Sequence, residues 1–104
     1  MVQIIALVKP FRAQPVLEAI EALGAQAIRV REAKGFGRQK ERLSLYLGSE
    51  YGEAFLPKVE ISCFLPDDES VEPVIRAIID HGRTGRMGDG KIFVMRCLGD
   101  HISW

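Results

Sequence analysis

The sequence begins with an aliphatic run, Val2-Gln-Ile-Ile-Ala-Leu-Val8, that the pair Lys9-Pro10 brings to an end. Branched aliphatic residues favour a strand, and a proline has no N–H to donate to the next rung of a sheet. Apolar residues then recur at helical spacing over 13–23, with Pro15 in the first turn and Gly24 after the last one. We therefore predict a strand followed by an amphipathic helix that buries one face.

The same two patterns continue outward from this βα unit. Alternating side chains predict three further strands, over residues 27–32, 58–65 and 91–97. A second helix is predicted to be capped near Ser70 and to stop at Gly82. The order βαββαβ is typical of an α+β, ferredoxin-like fold, with a four-stranded antiparallel sheet and two helices on one face.

The sheet face without helices is predicted to carry Leu7 and Phe64. In residues 58–65 the alternation puts Ile61 and Cys63 on the helix side and Phe64 on the other side. Leu7 and Phe64 would be exposed in a single chain, so we expect copies of the protein to associate through this face.

Length and composition limit the class of protein. A chain of 104 residues with 47% hydrophobic composition fits one domain, residues 1–104, with a real core. The 14 basic and 14 acidic residues balance, which argues against binding to nucleic acid. The first aliphatic run is too short to span a membrane and no basic segment precedes it, so we expect a cytoplasmic protein. Cys63 and Cys97 lie far apart in sequence, which favours buried strand thiols over a disulfide or a zinc site.

Two glycine-rich runs combine permissive backbone with basic side chains. They are Gly35-Phe-Gly-Arg-Gln-Lys40 and Thr84-Gly-Arg-Met-Gly-Asp-Gly-Lys91, and most of the second run lies in a predicted loop over 82–90. Glycine lets consecutive N–H groups converge on an anion, and lysine or arginine supplies the countercharge. In the second run, the amides of Gly88, Asp89 and Gly90 with the Lys91 ammonium could hold a polyphosphate. An ordinary glycine-rich connection explains this run equally well.

The second run matches the first part of a P-loop, but Ile92 stands where a magnesium-binding Ser or Thr is required. The predicted context is also reversed, because a helix precedes the run and a strand follows it. We therefore exclude a nucleoside-triphosphatase site of that type. The sequence shows no pair of nucleophile and base, so an enzyme is the least favoured class.

Residues 37–55 form a long connection without helical periodicity. Loops of this length in small domains are usually functional or disordered. Gln39, which lies between two basic residues, could reach a metal-bound or carboxylate-bearing ligand, whereas a bulged strand end explains it without one. Ser49 and Tyr51 would be exposed in this connection and are candidates for contacts or for modification.

Taken together, these features resemble the PII nitrogen-regulatory signal proteins. The resemblance rests on motifs that span nearly the whole chain: Val8-Lys-Pro-Phe11, Lys34-Gly-Phe-Gly-Arg-Gln-Lys40, Leu45-Tyr-Leu-Gly-Ser-Glu-Tyr51, Phe55-Leu-Pro-Lys-Val59, Pro66-Asp-Asp68 and Thr84-Gly-Arg-Met-Gly-Asp-Gly-Lys-Ile-Phe-Val94. It implies a non-enzymatic homotrimer that binds ATP or ADP in clefts between subunits and senses 2-oxoglutarate through Mg²⁺-ATP. It also implies a mobile loop over 37–55 that docks on a target protein, of which a membrane transporter is one candidate.

The resemblance further implies roles for single residues. Phosphates would be held by the glycine runs, through Gly37, Arg38, Gly88, Asp89, Gly90 and Lys91. The adenine would be flanked by Leu7, Gly35 and Phe64. Gln39 would coordinate Mg²⁺ next to 2-oxoglutarate, and Lys58 would pair with the distal carboxylate of that ligand. Tyr51 or Ser49 would be the modified residue.

Some positions depart from the family pattern. Residues 100–104, Asp-His-Ile-Ser-Trp, lack the family's Arg-Ile-Arg pattern, which implies a shortened tail and two fewer cationic contacts to a neighbour's nucleotide. Each charge-assisted bond is worth about 1.5–3 kcal/mol, so ADP or AMP is expected to compete with ATP. Arg29 replaces a small polar residue near the adenine, Leu47 replaces a loop arginine, and Glu41 replaces a glycine beside the 2-oxoglutarate site. The alternative is a PII-like trimer that binds a small anion or a metal, or is structural, without nucleotide sensing.

Overall fold

The computed structural model describes residues 1–35 and 56–104. In these two ranges the chain forms four strands and two helices, in the order β1 (Val2–Val8), α1 (Ala13–Ala22), β2 (Gln26–Gly35), β3 (Leu56–Leu65), α2 (Val71–Gly82) and β4 (Gly90–Arg96). The strands lie in the order β2-β3-β1-β4, and every neighbouring pair is antiparallel. The predicted ferredoxin-like arrangement is confirmed.

The core lies between the helices and one face of the sheet. Alternate residues of β1 are buried, and the same alternation in β3 continues the apolar layer. The core comprises Val2, Ile4, Ala6, Val8, Ile61, Cys63 and Leu65 from the sheet and Ala13, Val16, Ile20, Val74 and Ile78 from the helices. Burial raises the pKa of the Cys63 thiol, as expected for a strand cysteine inside the core. The same prediction is wrong for Cys97, which lies one residue beyond β4, is half-buried and donates its backbone N–H to Met1.

β2 and β3 are both longer than the alternation predicts. β2 continues to Gly35, and β3 already begins at Leu56. β2 begins with a bulge between Gln26 and Arg29, where Ala27 adopts a left-handed φ of 49°. β3 begins at Leu56 and includes Pro57, which pairs with Lys34. Among the described residues, the part of β3 before Val59 has a neighbouring strand only on the β2 side. A proline is tolerated there because its missing N–H can face the open side.

The helix ends show one further difference from prediction. The Ser70 side chain does not cap α2; instead it donates to Asp67, which also accepts the Ser70 backbone N–H at 2.9 Å. Asp67 therefore caps the short 3-10 turn Asp68–Ser70 that leads into the helix. These hydrogen bonds from Ser70 lower the pKa of the Asp67 carboxyl. The predicted stop at Gly82 is confirmed.

The face of the sheet away from the helices carries Leu7 and Phe64, as predicted, but the prediction that both are exposed in a single chain is wrong, since both are half-buried. On the same face of β4, Phe93 and Met95 pair with Ile5 and Gln3, and both are exposed. An apolar strip therefore crosses two strands of this face. Within residues 1–35 and 56–104, no helix has the length and apolar character needed to cross a bilayer.

Candidate functional site

Gly35, the described residue of the first glycine run, and Gly90 of the second run lie at the same end of the sheet. β1 ends there at Val8, which pairs with Gly90 at the start of β4, and Leu7 pairs with Lys91. On the other side, Lys58 lies near the start of β3, and Gly35 ends β2 opposite Leu56. The topology therefore gathers five predicted site residues at one end: Leu7, Gly35, Lys58, Gly90 and Lys91.

Gly90 occupies a position that admits no side chain. A Cβ at this residue would lie less than 3.0 Å from the Leu7 carbonyl oxygen and 3.4 Å from the Leu7 carbonyl carbon. Backbone atoms cannot swing aside as a flexible side chain can, so glycine lets β4 approach β1 closely at this rung. The close approach fixes Lys91 directly beside Leu7.

The second glycine loop, residues 82–90, is closed by its own carboxylate. Asp89 accepts the backbone N–H of Thr84 at 2.7 Å and that of Gly85 at 3.0 Å, and it also accepts the Thr84 hydroxyl. The Lys9 ammonium lies 3.0 Å from the same carboxylate. The Thr84 hydroxyl and amide, with help from Lys9 and Gly85, hold the pKa of the Asp89 carboxyl far below its usual value. Asp89 thus serves the loop as an internal anion that holds its first residues together.

The backbone of the loop turns twice through conformations that favour glycine. Gly85 has φ 83° and Gly88 has φ 78°, both in the left-handed region. The amides of Thr84 and Gly85 are already used by Asp89. Those two amides are therefore already engaged, and anion binding by the amides of Gly88, Asp89 and Gly90 stays a prediction from the sequence.

Lys58 connects β3 to this loop. Its ammonium donates to the Gly88 carbonyl oxygen at 2.6 Å, and the residue is only 9% exposed. Burial, followed by the charge of Lys9, lowers the pKa of the Lys58 ammonium, whereas Asp89 opposes the shift. Two lysines therefore face one carboxylate at this end of the sheet, so an anionic ligand would relieve their repulsion.

The structure separates Phe64 from this group. Phe64 lies on the same sheet face as Leu7, but it is four residues beyond Glu60, the β3 partner of Leu7. At roughly 3.3 Å per residue, about 13 Å of strand separates the two positions. Within one chain, Phe64 and Leu7 are therefore too far apart to contact the same adenine ring. Gly37, Arg38, Gln39, Ser49, Tyr51 and the predicted docking loop 37–55 lie outside the described residues.

Two residues of the site are not identified by the sequence patterns. From the sequence, Lys9 marks only the end of β1, yet it contacts Asp89 across 80 positions of chain. Thr84 is the other, and here a signal exists, because a Thr and an Asp that bracket a glycine turn commonly close it through side-chain bonds to backbone. Outside residues 36–55, no cluster of three or more His, Cys, Asp or Glu could hold a metal ion. The predicted Mg²⁺ ligand, Gln39, lies within the range that the structure does not describe.

The described residues thus form a ferredoxin-like body that gathers Lys9, Lys58 and a glycine loop at one end of the sheet. Comparison with known proteins gives the family. The profile of the family described as nitrogen regulatory protein P-II matches residues 1–98. The chain therefore belongs to the P-II family of signal-transduction proteins.

Individual relatives agree with this assignment. Nitrogen regulatory protein P-II of Rhizobium meliloti (strain 1021) is 53% identical over 94 residues, which cover 90% of this chain and 83% of the relative. The proteins of the same description from Mesorhizobium japonicum and Rhodospirillum rubrum are 54% and 52% identical over the same shares of chain. The resemblance stated from the motifs is confirmed at the level of the family.

Proposed function

We propose that this chain is a non-enzymatic signal protein that binds adenine nucleotides, ATP or ADP with AMP as a competitor, in clefts between the subunits of a homotrimer. One observation carries the proposal: Lys91 is fixed beside Leu7 by the close approach of Gly90, at the end where Lys58 meets the second glycine loop. An ammonium and late-loop amides would receive the phosphates, and the apolar Leu7 side chain would pack on the base.

A cleft between two copies accounts for the position of Phe64. Phe64 lies about 13 Å from Leu7 along the same exposed face. If copies associate through this face, Phe64 of one copy can approach Leu7 of another and enclose the adenine from both sides. The exposed Phe93 and Met95 on that face support association, since a single chain leaves them in water.

The remaining parts of the site are proposed on the family resemblance. Gly35, Gly37 and Arg38 would complete the nucleotide contacts, and Gln39 would hold Mg²⁺ beside 2-oxoglutarate or another small anion. Lys58 would bind the distal carboxylate of that ligand, which its lowered pKa and its position beside Lys9 support. Ligand state would bias residues 37–55 between conformations, of which one docks on a target protein such as a membrane transporter. Tyr51 or Ser49 would be open to modification there.

Titration calorimetry with ATP, ADP and AMP, with and without Mg²⁺, tests the proposal. Lys91→Ala should weaken nucleotide binding about tenfold or more, since loss of one charge-assisted bond of about 1.5–3 kcal/mol exceeds the 1.4 kcal/mol of a tenfold change. Arg76→Ala is the matched control, because it removes a surface cation of α2 whose ion pair, among the residues the structure describes, is with Glu72 alone. Failure of all three nucleotides to bind would sink the proposal.

A second candidate is a trimeric small-anion binder without nucleotide sensing. It is favoured by two lysines at the second glycine loop: Lys9 pairs with Asp89, and the Lys58 ammonium donates to the Gly88 carbonyl oxygen. Under this alternative 2-oxoglutarate would bind without nucleotide, Lys58→Met would abolish that binding, and Lys91→Ala would leave it unchanged. Under the leading proposal 2-oxoglutarate binds only after Mg²⁺-ATP.

A further inference from the structure

Lys9 reaches from the end of β1 to the second glycine loop. Its ammonium lies 3.0 Å from the Asp89 carboxylate and 3.3 Å from the Thr84 hydroxyl oxygen. The side chains of Lys9 and Asp89 are 19% and 23% exposed. Most of each side chain is therefore shielded from water, where an ion pair is screened less than at the surface.

The two residues that Lys9 contacts lie near opposite ends of the loop. Thr84 comes shortly after α2, and Asp89 is the last residue before β4. Asp89 also accepts the backbone N–H groups of Thr84 and Gly85, so the two ends are already closed on each other. Lys9 therefore holds a closed loop against β1.

The contact continues the pairing of β1 with β4. Val8 pairs with Gly90 at the last rung of the β1–β4 ladder, and the same antiparallel register places Lys9 opposite Asp89. The ion pair thus extends the ladder by one rung through side chains. It acts on residues 88–90, the part of the loop whose amides are predicted from the sequence to bind phosphate.

Among the described residues, two side chains from outside the loop donate to it. Lys58 donates to the Gly88 carbonyl oxygen at 2.6 Å, and Lys9 donates to Thr84 and Asp89. Lys58 is proposed above to bind the carboxylate of a second ligand. Lys9 has its carboxylate partner within the protein, so a second ligand would leave its contact with the loop in place.

We propose that Lys9 is a positioning residue for phosphate binding. Acting through Asp89, it holds the amides of residues 88–90 and the Lys91 ammonium in the arrangement that receives the phosphates. The inference rests on the proposed nucleotide site and gives Lys9 no contact with the nucleotide itself. A loop that is in place before the ligand arrives need not be ordered during binding, and this raises the affinity.

Nucleotide affinities of Lys9 variants test the proposal. Lys9→Met removes the ammonium and keeps the apolar stem, and it should raise the dissociation constant of ATP about tenfold, the effect of losing one charge-assisted bond. The constant of AMP should rise less, because fewer phosphates reach the loop. Lys9→Arg keeps a cation and should retain most of the affinity. Arg12→Met is the matched control and should leave ATP binding unchanged, because the Arg12 guanidinium lies over the Phe11 ring, 5.4 Å from its centroid.

Two outcomes of these titrations would overturn the proposal. The first is unchanged ATP affinity in Lys9→Met. The second is an equal loss of affinity for ATP and AMP, which would indicate general damage to the fold instead of a misplaced phosphate loop.

A double-mutant cycle tests whether Lys9 acts through Asp89. If it does, the effects of Lys9→Met and Asp89→Asn overlap, and the double variant should bind ATP about as weakly as the weaker single variant. Additive losses would assign Lys9 to a direct contact with phosphate and would also overturn the proposal.

Hydrogen exchange tests the loop without any nucleotide. The backbone amides of Thr84 and Gly85 donate to Asp89, and in Lys9→Met they should exchange severalfold faster than in the parent protein. The Ile4 amide inside β1 is the internal control and should stay slow. Unchanged exchange at Thr84 and Gly85 would overturn the role of Lys9 in holding the loop. A parent protein that binds no nucleotide would overturn the proposed function and the phosphate role together, whereas the exchange rates would still decide whether Lys9 holds the loop.

Discussion

Replacement of Gly90 by alanine tests the close approach of β4 to β1. The new Cβ would meet the Leu7 carbonyl oxygen at less than 3.0 Å, and the Val8 Cα would lie 3.8 Å away. The first rung of the β1–β4 ladder must therefore open. Overpacking costs about 1–3 kcal/mol and a weakened ladder bond about 0.5–1.5 kcal/mol, which together give about 1.5–4.5 kcal/mol.

Thermal unfolding measures this cost. For a domain of this size 1 kcal/mol corresponds to roughly 4–8 °C, so Gly90→Ala should lower Tm by at least about 6 °C. Two controls separate crowding from other effects of losing a glycine. Gly85→Ala has open space but a φ of 83°, and it should cost only the strain of a left-handed alanine, about 1–2 kcal/mol. Gly99→Ala has open space and no such strain, and it should be nearly neutral. If Gly90→Ala and Gly99→Ala have the same Tm, the reasoning is refuted, whatever the nucleotide affinity of the Gly90→Ala protein.

Three further substitutions test the loop, the bulge and the core. Asp89→Asn should have a lower free energy of unfolding than the parent above pH 3.8. Because the folded-state pKa of Asp89 is depressed, the difference in free energy should shrink as the pH falls toward that pKa. A difference that does not change with pH in urea unfolding would contradict this. Ala27→Gly should raise stability by about 0.5–1 kcal/mol, since relief of the left-handed φ exceeds the entropy cost of glycine; a lower Tm would count against it. Ile20→Ala should cost about 2–5 kcal/mol because Ile20 is wholly buried, and a loss under 1 kcal/mol in the same assay would be inconsistent with that packing.

Strands and helices with a clear alternating or helical pattern of apolar residues are predictable from the sequence. The bulge and the strand ends are not. β1 follows from its aliphatic alternation, and α2 follows from its apolar stripe and its stop at Gly82. The bulge at Ala27 has no local signal, because alanine is not a residue that favours a left-handed φ. The start of β3 is missed because Pro57 normally argues against a strand. The proline is tolerated because β1 pairs with β3 from Val59 onward, so Pro57 has no β1 residue beside it.

The candidate site divides in the same way. The glycines and Lys91 are visible as a motif because their spacing is local. The partnership of Lys9 with Asp89 is invisible, since 80 positions separate them and either residue alone looks like an ordinary surface charge. Likewise the contact of Lys58 with the Gly88 carbonyl depends on how β3 and the loop meet in space. Sequence thus identifies which groups are present at the site, and the fold determines which of them are already engaged.

The exposed apolar residues of β4 make the newly synthesised, unassembled chain prone to aggregation. β4 is an edge strand, and it carries Phe93 and Met95 on one face and Val94 on the other, all exposed. An open edge with apolar residues is a template for unintended pairing, and the charges of Lys91 and Arg96 are its only gatekeepers. Productive assembly must therefore outrun aggregation after synthesis. Substitutions that weaken contacts between copies should accordingly appear first as insoluble protein at high expression rather than as a stable monomer.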